Sequence, residues 1–288
     1  MPSQLEQLQL LSPVVADTAR FGRLSAFAPH AASLGMARVL EALDDPVCAP
    51  LLAQTVATHR GQPPDALLDR LLVRFGCELL GVVPGWVSTE LDARSSFDTA
   101  AIVARAQRIA SLYESEGLPP DRLRVRIPAT WEGLQAAKAL GHHGVHTHLA
   151  CVFAPCQAVA AGEAGVPLLS AGADVAAGVW RYFRKFGVDT EVMADGLNDV
   201  AQALALSGCD LIALDLDLLA QLQASQAPLA RALDPDAALH CDAKASSYNE
   251  PSFRYALNDD AVASERLASG VRAAAADAQR LEQRIRAL

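Results

Sequence analysis

Short apolar runs alternate with longer amphipathic stretches over most of the chain, and that alternation predicts strands joined by helices in a parallel sheet. The runs that read as strands are Val14–Asp17, Val82–Thr89, Leu123–Ile127, Val145–Val152, Pro167–Ser170, Thr190–Ala194 and Leu211–Leu214. Ala31–Leu34 carries the faintest pattern and would complete eight. Helical periodicity covers Asp65–Leu80, Thr99–Glu116, Trp131–Leu140, Pro155–Ala164, Asp174–Phe186 and Leu197–Leu206. Gly117, Gly141, Gly165, Gly187 and Gly208 stand where helix-terminating glycines are expected. The final stretch, Asp259–Leu288, reads as one long amphipathic helix with Val262, Leu267, Val271 and Leu281 on one side. No linker or shift in composition divides the chain, so residues 1–288 are expected to form one domain.

Composition narrows the class further. With 288 residues, 51% hydrophobic and 20% charged, the chain has the balance of a globular protein with a large core. Its formal charge of −9 speaks against nucleic acid or an anionic membrane as a general partner. The six cysteines form no CxxC pair and do not read as a disulfide framework. The first residues, MPSQLEQLQLLS, lack the basic region and cleavage site of a signal peptide, and no apolar run reaches the ~18 residues of a membrane span. The expectation is a cytoplasmic protein. No GxGxxG opens a helix, and neither GxxxxGK[ST] nor GxSxG occurs, so no nucleotide cofactor and no serine-hydrolase chemistry is expected.

Several runs resemble the transaldolase family, whose members move a dihydroxyacetone unit between sugar phosphates. Val14–Thr18 (VVADT) resembles the first strand and its catalytic aspartate, here Asp17. Val83–Arg94 (VPGWVSTELDAR) resembles the third strand, with the glutamate at Glu90. Arg122–Gly133 (RLRVRIPATWEG) resembles the fourth, and Ala164–Ser170 (AGVPLLS) the sixth, with its serine at Ser170. The resemblance spans nearly the whole chain. It implies a single (β/α)8 TIM barrel of the transaldolase/class I aldolase type, with extra N- and C-terminal helices and a pocket at the C-terminal ends of the strands. It also implies self-association as a homodimer and no cofactor.

The departures cluster at the positions that carry chemistry. The lysine that forms the Schiff base in the family falls on Arg126, and a guanidinium has no free lone pair to attack a carbonyl. The substrate-binding asparagine of the second strand falls on Gly35, and the fifth-strand asparagine and threonine fall on His148 and Ala150. The two phosphate-binding arginines fall on Val175 and Asn198. Asp17 and Glu90 keep carboxylates able to move protons, and Arg126 is expected as a positive fork between them.

Three functions stay open at this point. The leading one is a divergent carbonyl or aldol-type enzyme, a lyase, isomerase or transferase, working without the imine. In it Arg126 holds an oxyanion, Asp17 and Glu90 act as acid and base, and His148, Ser170, Asp195 and Asp215 contact the substrate. The second is an inactive barrel used as a binding or regulatory protein, in which Arg126 is saturated by Asp17 and Glu90. The third is a true transaldolase of the pentose phosphate pathway using another lysine: Lys138, Lys185 or Lys244, the last in a polar loop that could fold over the mouth. No metal is expected; the alternative set for a divalent ion is Glu90, His148 and Asp215, with Asp17 nearby. The acids at the mouth, set against one arginine, suit a neutral or amine-bearing carbonyl or sugar-like ligand.

Overall fold

The computed structural model describes residues 2–288. Its core is a closed barrel of eight parallel strands in chain order: β1 (Val14–Asp17), β2 (Ala31–Leu34), β3 (Val87–Glu90), β4 (Leu123–Pro128), β5 (Thr147–Val152), β6 (Leu168–Gly172), β7 (Glu191–Asp195) and β8 (Leu211–Leu214). Helix α1 (Gln4–Leu11) precedes the barrel, and α2 (Met36–Ala42), α3 (Pro50–Thr58) and α4 (Pro64–Leu80) fill the long β2–β3 connection. Then come α5 (Thr99–Ser115), α6 (Trp131–His142), α7 (Pro155–Glu163), α8 (Ala176–Phe186), α9 (Val200–Ala205) and α10 (Leu216–Ala224), each following its strand. The chain ends in α11 (Pro235–Leu239), α12 (Glu250–Asp259) and α13 (Ala261–Arg286).

The faint Ala31–Leu34 run is a strand, buried at all four positions. The third strand is shorter than its apolar run, because the Pro84–Gly85 turn brings the Gly85 amide onto the His30 carbonyl and pairing begins only at Val87. The expected C-terminal helix is α13, whose start is capped by the Asp260 side chain on the Ala263 amide, and a further helix that the pattern did not predict, α12, precedes it. Gly141 lies inside α6, and the left-handed residue beyond that helix is Gly144, at φ 72°.

Register places inward-facing residues in stacked layers drawn from alternate strands. Ala31, Leu168 and Leu211 lie lowest with Arg124, whose guanidinium rests over the Trp86 ring at 5.5 Å. Val15, Ser88, His148 and Met193 form the next layer, and Ser33, Arg126, Ser170 and Ala213 the one above. Asp17, Glu90, Ala150 and Asp195 form the top. Arg124 apart, the barrel is therefore apolar at its closed end and polar toward its mouth.

Helix α13 crosses that mouth from β6 to β3. The Arg266 guanidinium pairs with Asp174 at 2.7 Å and stacks 4.1 Å over Phe153 beside Gly172. Leu267 and Val271 pack on Ala93, and Glu282 pairs with Arg94. Arg94 in turn binds Asp92, which Arg105 joins to the buried Asp69 at 3.0 and 2.6 Å. Burial alone would raise the Asp92 carboxyl, but the Arg94 hydrogen bonds and the Arg105 charge hold it below its ordinary value. A lowered folded value gives stability above the unfolded pKa of about 3.9 that is lost as pH falls through the folded value. The melting temperature is therefore expected to drop below about pH 4. Asp92→Asn should already be less stable at neutral pH and show a shallower acid loss; an unchanged acid profile would remove Asp92 from the cause.

Candidate active site

The mouth gathers most of the residues singled out in the sequence, but not in the pairing expected of them. Asp17, at the end of β1, does not bind Arg126. Arg38, in the first turn of α2, takes it instead, with Nε at 2.9 Å and an outer nitrogen at 2.7 Å, both on Oδ2. Arg38 is braced from behind by Glu41 at 3.0 Å. Glu90 accepts the Met36 amide at 2.8 Å rather than a salt bridge from Arg126. The expectation that Asp17 and Glu90 saturate Arg126 is thereby corrected: helix α2 supplies a second guanidinium and a free amide that satisfy the two acids first.

Arg126 instead reaches across the barrel. One outer nitrogen donates to Ser33 Oγ at 3.2 Å, and the other lies 3.6 Å from Asp195. Its Nε is buried with no partner. Burial opposes the charge, but Glu90, Asp195 and Asp17 hold Arg126 protonated. Burial likewise raises Asp17 and Glu90, Asp195 adding to the effect at Asp17, while the Arg38 and Arg126 charges pull the other way.

His148 is wholly buried, its Nδ1 2.7 Å from Ser88 Oγ across the barrel and its Nε2 without a partner. Burial and the charges of Arg126 and Arg124, above and below it on β4, push it well below its ordinary range, so the ring is neutral. Ser170 Oγ, on β6, is also buried and unpartnered. His146 lies just before β5 begins and is half-buried at the other end of the barrel. Strand alternation fails at Cys151, where β5 bulges: Cys151 has φ 60° and its sulfur faces Gly270 of α13. Burial raises that thiol to about 11, so it is no nucleophile at neutral pH.

Asp215 caps α10 through the Leu218 amide at 2.9 Å. With Asp17, Arg38 and Glu41 it lines a cleft of about 90 Å³ beside β1. That commitment, and the layer separating His148 from the mouth acids, keep Glu90, His148 and Asp215 from meeting. Among the described residues no group of three or more His, Cys, Asp or Glu has an arrangement that could hold a metal ion.

The lysines lie elsewhere. Lys138 is exposed on α6, and Lys185 donates to the Cys241 and Ala243 carbonyls at 2.6 and 2.9 Å. Lys244 does not fold over the barrel axis; it lines a cavity of about 370 Å³ between α7 and α8, beside Asp174 and Val175.

A barrel of this topology, with carboxylates at the ends of β1 and β3, is common to many enzymes, and comparison with known proteins decides among them. The family model described as Transaldolase/Fructose-6-phosphate aldolase matches residues 48–177 and 167–285. A protein of Methylibium petroleiphilum named transaldolase is 57% identical over 316 aligned residues, covering 100% of both chains. The chain belongs to the transaldolase family. Transaldolase-family membership makes this an aldolase-type protein. No helix among the described residues is long and apolar enough to cross a membrane.

Arg38, Ser33 and Ser88 were missed by sequence reasoning. Arg38 had one available signal: it follows a strand end by four residues, and the first turn of such a helix borders the mouth of a barrel. Ser33 and Ser88 had only strand parity, which marks them as inward but names no partner.

Proposed function

We propose that the chain makes or breaks carbon–carbon bonds of a small sugar-like ketone at the barrel mouth, by aldol chemistry. The observation that carries this reading is the unpartnered Arg126 Nε, buried beneath carboxylates that are engaged elsewhere. In the cleavage direction, Asp17 or Glu90 takes the proton of the β-hydroxyl. The bond between the α and β carbons then breaks and an aldehyde leaves. The bonding electron pair passes to the α carbon and carbonyl oxygen as an enolate, which Arg126 stabilises by charge and hydrogen bond. A proton returned to the α carbon releases the ketone, and a second aldehyde captured in its place would complete a transfer.

The second reading is a true transaldolase that passes dihydroxyacetone through a lysine imine. End-to-end identity of 57% to a protein named transaldolase speaks for that activity more directly than for a changed mechanism. Lys244 is the lysine that lines a cavity, and it would carry the imine. Sugar phosphates would then be the substrates, and the cytoplasm the expected compartment.

One experiment separates the two. The protein is incubated with fructose 6-phosphate, with and without an aldehyde acceptor, and products are followed by NMR beside a borohydride-reduced sample weighed intact. Turnover with no reduced adduct supports the enolate route. Turnover with an adduct mapped to Lys244 establishes the imine and retires the role given to Arg126. Absence of turnover with fructose 6-phosphate, fructose and dihydroxyacetone would leave the barrel a binding protein.

A further inference from the structure

We propose that Ser88 fixes His148 as the Nε2–H tautomer, so that His148 Nε2–H, Arg126 Nε–H and Ser170 O–H form a three-donor hole for the enolate oxygen. This rests on the aldol reading above and assigns its oxyanion subsite. The three atoms lie on the inward faces of consecutive strands β4, β5 and β6, all buried and all without a partner. Arg126 and Ser170 share one layer, and His148 sits directly below and between them.

The tautomer follows from counting hydrogens. Ser88 Oγ is fully buried, and His148 Nδ1, at 2.7 Å, is its one side-chain partner among the described residues. A hydroxyl has one hydrogen to place. If Ser88 donates it, Nδ1 accepts, and the single proton of a neutral ring must sit on Nε2. The reverse tautomer would leave both the Ser88 hydrogen and the Nε2 lone pair without partners in the core, whereas this one leaves only Nε2–H open. All three unpartnered atoms can then donate. A water placed among them would accept two hydrogen bonds and bring two hydrogens needing acceptors of their own. An enolate oxygen accepts three and brings none.

Ser88 is a positioning residue here, since it acts only through the imidazole. The test uses the whole chain and glycolohydroxamate, which mimics an enediolate, with glycolamide as its un-ionised counterpart. Nitrogen-15 NMR of the imidazoles is expected to show His148 protonated at Nε2 in the unaltered protein. Calorimetry should show glycolohydroxamate binding more tightly than glycolamide. Ser88→Ala and, separately, Ser170→Ala should weaken glycolohydroxamate by roughly tenfold, the loss of one buried hydrogen bond, with much less effect on glycolamide. Protonation at Nδ1 in the unaltered protein would overturn the proposal, as would no preference for glycolohydroxamate or equal loss of both ligands in the variants. The imidazole spectrum needs no variant to fold. An imine found on Lys244 would remove the aldol reading while leaving that spectrum as it is, so the two failures are distinguishable.

Discussion

Arg126→Lys is expected to create an imine-forming centre in a protein whose unaltered form has none at that site. Incubation with dihydroxyacetone and borohydride should then give a stable adduct on residue 126 by intact mass and peptide mapping. The position is prepared for it. Residue 126 faces inward between Ser33 and Ser170, below Asp17, Glu90 and Asp195. Burial favours the neutral amine that attacks a carbonyl, and the burial-raised acids above it can exchange protons during dehydration of the carbinolamine. A guanidinium at the same place keeps its charge and cannot attack. The expected difference is therefore between adduct and none. A folded Arg126→Lys protein that takes up no adduct would show that the surrounding pocket does not support imine chemistry at that position.

Gly76→Ala should destabilise the fold by about 3 kcal/mol, near the upper end of overpacking costs. Gly76 lies in α4, and a Cβ there would sit 1.7 Å from the Tyr113 hydroxyl and 2.6 Å from its Cζ. Tyr113, from α5, cannot retreat: it is buried, and its hydroxyl is bonded to Thr89 Oγ1 on β3 at 2.7 Å. The added methyl must break that bond or spread α4 from the barrel. Gly141→Ala provides the contrast. Gly141 lies within α6 with nothing inside 4 Å of its would-be Cβ, so alanine should be neutral or stabilising by up to about 1 kcal/mol. Thermal melts of the two variants would check both; a Gly76→Ala protein as stable as its parent would mean the packing of α4 on α5 is looser than it looks.

The barrel was legible because parallel strands buried on both faces leave continuous apolar runs, and the helices between them keep their period. Ala31–Leu34 was faint because two alanines and a serine carry little of that signal, though its burial is complete. Helix α12 was missed because it is short and Phe253 is its one buried residue, so it carries little of that period, whereas the start of α13 was legible to within two residues. The site was legible as a list of residues and not as a set of bonds. Asp17, Glu90, Arg126, His148 and Ser170 are placed at or just below the mouth by resemblance and strand parity alone. Their partners are not, because Arg38 comes from a different βα unit and wins Asp17 by distance. Cys151 shows a second limit: one bulged residue cancels the alternation on which inward and outward assignments depend.

The order of the barrel's layers has a kinetic consequence. Its lower end is filled by apolar side chains, Trp86 and the Arg124 stacked on it, so a ligand must enter from the mouth and meet Asp17, Glu90 and Asp195 before it reaches the donors beneath them. A phosphorylated sugar approaching in dilute buffer meets a chain of formal charge −9, and the repulsion fades once the screening length shrinks to about 10 Å, near 0.1 M salt. Association of anionic ligands should therefore quicken with added salt, while that of uncharged ketones stays nearly flat. The acidic face of the barrel would thus also sort substrates by charge at the door.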